Sequence, residues 1–126
     1  MSGSLNPKIL IVDDERDIRE LLSEELTDAG YNVTAIDSGA DAIVTAAENA
    51  FGLIVVDMFM PGLTGIQTIK VLHKVALDMP IIGLTGYPGH GFMGKAAALD
   101  ITVLNKPVSI TELISEVKEL LARTSV

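Results

Sequence analysis

The chain has 126 residues, 48% apolar but only 4% aromatic, with no cysteine and with 17 acids against 9 bases for a net charge of −8. That length suits one domain with one aliphatic core. The lack of cysteine excludes disulfides and thiolate metal sites, and the negative balance argues against direct nucleic-acid binding. No apolar run approaches the roughly 18 residues that span a bilayer and no signal peptide is visible, so a cytoplasmic chain without membrane contact is expected. Residues 1–6 read as a tag or disordered tail, and residues 7–124 as the domain.

Lys8-Ile9-Leu10-Ile11-Val12 reads as the first strand and runs into the acids Asp13-Asp14-Glu15. Ile18, Leu21, Leu22, Leu26 and Ala29 then recur at helical spacing, with Gly30 where a C-terminal cap belongs. Asn32–Ile36 is a more polar strand, expected near a sheet edge. Ser38 begins a second helix whose Ile43, Ala46 and Ala47 face inward. Leu53-Ile54-Val55-Val56-Asp57 follows, an unbroken aliphatic run of the kind buried on both faces of a parallel sheet, closed by a carboxylate. Thr64-Gly65-Ile66-Gln67 has the form of a capping box and starts a third helix through Ile66, Ile69 and Leu72 or His73. Pro80–Thr85 is the fourth strand, Lys95–Leu99 the firm part of a fourth helix behind Gly86, Gly89, Gly91 and Gly94, and Ile101–Leu104 the fifth strand, followed by Asn105-Lys106-Pro107. Ser109-Ile110-Thr111-Glu112 opens the last helix, striped by Ile110, Leu113, Ile114, Val117, Leu120 and Leu121. Strict β/α alternation predicts a doubly wound parallel sheet with helices on both faces, and an order that places the first and third strands side by side brings Asp13, Asp14 and Asp57 to one crevice.

Three carboxylates in one crevice repel each other and call for a cation; an all-oxygen donor set favours Mg²⁺, which typically keeps waters and leaves room for phosphate oxygens. Phosphoryl transfer asks for an in-line nucleophile and positive charge on the equatorial oxygens. Asp57 can be that nucleophile, Lys106 can supply a point charge, and Thr85 a hydroxyl donor. Each lies at the carboxyl end of a predicted strand.

With Asp13-Asp14, Asp57 in Val-Asp-Met-Phe-Met-Pro-Gly, Gly65, Thr85 in Leu-Thr-Gly, and Lys106-Pro107, the sequence resembles the receiver domains of two-component response regulators over about Lys8 to Leu121. The resemblance implies a flavodoxin-like (βα)5 fold with strand order 2-1-3-4-5. It implies phosphorylation of Asp57 by a phosphohistidine of a sensor histidine kinase or phosphotransfer protein, and Mg²⁺ held by Asp13, Asp14, Asp57 and the Phe59 carbonyl. It further implies Lys106 at the phosphoryl oxygens, a cis Lys106-Pro107 bond, and a shift of Thr85 that re-packs the surface of the fourth helix, fifth strand and fifth helix. That surface is also a candidate homodimer face. Such a module is a signalling phosphoacceptor and not an enzyme. Family members commonly carry Tyr or Phe three residues before the lysine; here Val103 stands there and reads as an ordinary strand residue, so the loose approach to the fourth helix is expected to rearrange instead. Phe59 and Tyr87, two residues after Asp57 and Thr85, are expected to shield an acyl phosphate from water.

Three rivals are weighed on the same residues. A Mg²⁺-dependent aspartyl-phosphate phosphatase would place its nucleophile after the first strand in an Asp-x-Asp pattern and would need a cap, for which no insertion is long enough. A flavin-binding module would want a Ser/Thr/Gly-rich phosphate loop where Asp13-Asp14-Glu15 stands. A degenerate receiver serving only to dock would have no use for the complete acid, threonine and lysine set. His73 and His90 are assigned to the surface, and Met58, Met60, Met79 and Met93 to packing and loops.

Overall fold

The computed structural model describes residues 6–86 and 98–124. Five parallel strands, β1 (Lys8–Val12), β2 (Asn32–Ile36), β3 (Leu53–Asp57), β4 (Ile81–Thr85) and β5 (Thr102–Asn105), form one sheet in the order β2-β1-β3-β4-β5. Helices α1 (Arg16–Asp28), α2 (Gly39–Glu48), α3 (Gly65–Val75) and a C-terminal helix (Ile110–Thr124) cover it. The expected flavodoxin-like order is therefore the observed one. β2 is an edge strand, as its polarity suggests.

Successive side chains of a strand point to opposite faces, and β1 and β3 exploit this fully. Ile9, Ile11, Leu53 and Val55 pack with Leu22 and Leu26 of α1 and with Leu113 and Val117 of the C-terminal helix. Leu10, Val12, Ile54 and Val56 pack on the other face with Ala42 and Ala46 of α2 and with Ile69 and Leu72 of α3. Every residue of β3 and β4 is buried. The aliphatic run ending at Asp57 is thus a central strand with two cores.

Local signals set the helix ends. Gly30 takes φ +102°, and Tyr31 N–H donates to the Leu26 carbonyl at 3.1 Å, which closes α1 with a left-handed residue that suits glycine. Ser38 Oγ accepts from Asp41 N–H. Thr64 and Gln67 form the full reciprocal box expected of them, and Glu112 N–H donates to Ser109 Oγ.

Some expectations need correction. Leu21 is 43% exposed, because the core stripe of α1 runs through Ile18, Leu22 and Leu26 and turns Leu21 outward. In α2 the buried alanines are Ala42 and Ala46, and Ala47 faces out. Pro80 precedes β4, and β5 begins one residue later than expected, at Thr102, and includes Asn105. His73 is partly exposed on α3, next to the buried Leu72. Most of the expected fourth helix, together with Tyr87, His90 and Met93, lies outside the described residues.

Candidate functional site

The parallel register places the carboxyl ends of β1, β3 and β4 on one rim. Val12 pairs with Val56, and Asp57 pairs with Leu84. The next residues are therefore brought together by the sheet and not by their own attraction. Asp13 is fully buried, its N–H donating to the Ile36 carbonyl at 3.1 Å. Asp57 is 3% exposed, Asp14 is exposed, and ligand oxygens of Asp13, Asp14 and Asp57 lie within 4.8 Å of one another.

After β3 the chain turns tightly. Met58 N–H donates to the Leu84 carbonyl at 2.9 Å, and Phe59 N–H donates to Asp57 Oδ1 at 3.0 Å, which fixes the rotation of that carboxylate. Gly65 N–H donates to the Met58 carbonyl at 3.2 Å. A β-carbon at Gly65 would meet Met58 Cα and stand 2.7 Å from the Asp57 carbonyl oxygen, so only glycine lets α3 start this close to Asp57.

β5 delivers the lysine. Thr85 is buried at the end of β4, and its carbonyl accepts from Lys106 N–H at 2.7 Å. The Lys106-Pro107 bond is cis, as the resemblance implied. The Lys106 ammonium stands 3.1 Å from Asp13 Oδ2 and 3.4 Å from Asp57 Oδ2, and donates a hydrogen bond to Glu15 Oε1 at 3.0 Å. Val103 pairs with Gly83 as a partly buried strand residue.

The electrostatics follow from this crowding. Burial pushes the Asp57 carboxyl up to about 6; the Phe59 amide opposes the rise, the Asp13 charge adds to it, Lys106 opposes it, and the Asp14 carboxyl adds again. Burial alone would lower Lys106, but the close Glu15 and Asp13 carboxylates and the charge of Asp57 outweigh it and hold the ammonium well above its ordinary value. Asp13, Glu15 and Asp57 face one ammonium, and Asp14 adds a fourth carboxylate beside Asp13 and Asp57. The surplus is negative, the donors are all hard oxygens, and Asp13 Oδ2 is buried with an ion-pair contact but no hydrogen bond. This donor set fits a small oxygen-seeking divalent cation.

Sequence reasoning named Asp13, Asp14, Asp57 and Lys106, which the fold assembles, and Thr85, which sits at the neighbouring strand end. It missed Glu15, the hydrogen-bond partner of Lys106 across 91 residues of sequence, and Arg19, whose guanidinium donates to the Asp13 carbonyl at 2.9 Å. The only signal for Glu15 was a third acid after the Asp pair; nothing in the sequence pointed to Arg19.

Fold and site together define a flavodoxin-like α/β signalling module with a charged crevice at its topological switch point. The chain belongs to the response regulator receiver domain family, whose profile matches residues 9–118. The response regulator receiver protein CpdR of Brucella abortus (strain 2308) is 32% identical over 115 residues, spanning 90% of this chain and 96% of that protein. Response regulator MprA of Mycobacterium sp. (strain KMS) is 35% identical over 121 residues, which is 94% of this chain but 52% of MprA, so the chain spans about half of that relative. The receiver domain of the Francisella response regulator 1452 superposes with a TM-score of 0.88 at 32% identity, covering 94% of this chain and 99% of that one. Vibrio cholerae chemotaxis protein CheY4 gives 0.86 at 29% identity over 92% and 99%. Receiver domains typically work with histidine kinases or phosphotransfer proteins. No helix among the described residues is long and apolar enough to cross a membrane.

Proposed function

We propose that Asp57 accepts a phosphoryl group from a phosphohistidine of a sensor histidine kinase or histidine phosphotransfer protein, and that the resulting charge re-sets the surface around β5 and the C-terminal helix. The observation that carries this reading is a nearly buried carboxylate whose only near cation, among the described residues, is the Lys106 ammonium 3.4 Å away. Burying a carboxylate is costly even beside one ammonium, and a buried carboxylate at the rim that ligands favour in this fold class points to chemistry.

In the step, an Asp57 oxygen forms a bond to phosphorus as the histidine N–P bond breaks, and the departing electron pair stays on the imidazole nitrogen. Above its raised pKa of about 6 the Asp57 carboxyl is ionised and nucleophilic. The Phe59 N–H holds the carboxylate plane, Lys106 would offer positive charge to the phosphoryl oxygens, and Thr85 would answer with its hydroxyl. Asp13, Asp14, Asp57 and the Phe59 carbonyl would hold Mg²⁺. When bound, that ion offsets the charge of the acids and of the incoming phosphoryl oxygens. The chain's role is that of a signalling phosphoacceptor in the cytoplasm, with homodimerisation through the β5 and C-terminal-helix face as an output.

The test is incubation with acetyl phosphate and Mg²⁺, followed by intact mass. One phosphoryl increment on the wild type and none on Asp57→Asn is the expected result. An increment that survives Asp57→Asn, or none on either protein with any small phosphodonor, overturns the assignment. The second outcome would favour a docking-only receiver.

A further inference from the structure

Glu15 occupies the N-cap position of α1 without capping it. Ser, Thr, Asp and Asn are favoured there because a short side chain can reach the free amides of the first turn. Glu15 has N-cap geometry, φ −88° and ψ 116°, yet its side chain makes no capping hydrogen bond. Its backbone is pinned at both ends: its N–H donates to Asp13 Oδ1 at 2.9 Å, and its carbonyl accepts from Arg19 N–H at 3.0 Å. From that fixed base the side chain reaches across the crevice to Lys106. The ammonium donates to Glu15 Oε1 at 3.0 Å and stands 3.1 Å from Asp13 Oδ2 and 3.4 Å from Asp57 Oδ2, so Glu15 is as near to it as any carboxylate of the crevice.

We infer that Glu15 is a positioning residue that holds Lys106 in reserve, taking a hydrogen bond that a phosphoryl group on Asp57 must win back. The inference rests on the phosphoacceptor reading of Asp57. An ammonium has three N–H bonds and no acceptor capacity, and three carboxylates already face it. A phosphoryl group on Asp57 replaces that carboxylate's charge with several anionic oxygens in the same corner, and these compete with Asp13 and Glu15 for the ammonium. Asp57 spends its own charge on the new bond, and Asp13 is buried and cannot rehydrate; the Glu15 side chain is 61% exposed and can. Glu15 also repels an incoming anion by its own charge. Both effects set Glu15 against phosphoryl binding, and both end when its carboxylate turns to solvent.

The experiment uses the full chain with beryllofluoride, a phosphoryl mimic, at saturating Mg²⁺, with affinity read by calorimetry. Glu15→Ala is expected to bind beryllofluoride roughly 3- to 10-fold more tightly than wild type, with Glu15→Gln between them, the size expected for a partly exposed charge-assisted contact. In the metal-free and anion-free protein the Lys106 ammonium protons, followed by ¹⁵N NMR, are expected to exchange several-fold faster in Glu15→Ala. This readout reports the lysine itself and would not move if Glu15 acted only as a distant charge. Equal or weaker binding by Glu15→Ala, or unchanged ammonium exchange, overturns the inference while leaving Asp57 as the acceptor. A wild type that binds no beryllofluoride overturns both.

Discussion

Asp57→Asn removes a charge from a site that resists it, and the consequence for stability can be worked from the structure. The carboxyl moves from 3.8 in the unfolded chain to about 6 in the fold, roughly two pH units, or about 3 kcal/mol at a pH above both values. The folded value is the higher one, so the folded state prefers the protonated acid. Its contribution is fully present below the unfolded pKa and is lost as pH rises through about 6. Asparagine keeps an oxygen to accept from Phe59 N–H and carries no charge to desolvate. In EDTA at pH 8 the variant should therefore be more stable than wild type by about 2–3 kcal/mol, a gap that shrinks by roughly half at pH 5. Urea melts followed by far-UV circular dichroism measure both. Mg²⁺ should stabilise the wild type through binding to the native state and so narrow the gap at pH 8. A variant no more stable than wild type at pH 8, or a gap of the same size at pH 5, would refute the claim that desolvation dominates at Asp57.

Other substitutions probe neighbouring links. Gly65→Ala places a methyl against the Asp57–Met58 backbone and should cost more than about 2 kcal/mol by overpacking at a site that cannot shift; a neutral result in urea melts would mean that α3 can back away. Lys106→Ala leaves the buried Asp13 and Asp57 with no ammonium and should slow phosphorylation by acetyl phosphate at least about 10-fold; an unchanged rate would remove the lysine from the mechanism. Phe59 is 47% exposed beside Asp57, and Phe59→Ala should shorten the half-life of a phosphoryl group on Asp57 if the ring sheds water from it. A half-life equal to wild type would assign Phe59 to the surface alone.

Most of the framework was legible because it is written in periods. β1 and β3 are continuous aliphatic runs because both their faces are covered, and the C-terminal helix is a clear stripe because one face alone is. The acids and the lysine were legible because each closes a strand, and a parallel sheet gathers such ends on one side. What escaped was the part decided by reach and by small rotations. Leu21 and Ala47 match the helical spacing nearly as well as their buried neighbours, and only the tilt of each helix on the sheet settles which turn inward. Glu15 looked like one more acid at a helix start, and nothing in its neighbourhood reveals a lysine 91 residues away.

The rung between Thr85 and Lys106 has a mechanical meaning. The 2.7 Å bond from the Lys106 amide to the Thr85 carbonyl fastens together the main chains of the two residues proposed to greet the phosphoryl group from opposite sides. Neither backbone can travel without dragging its fellow along. A signal of the kind proposed above would therefore move these two main chains as one body or turn their side chains about a shared crossbar.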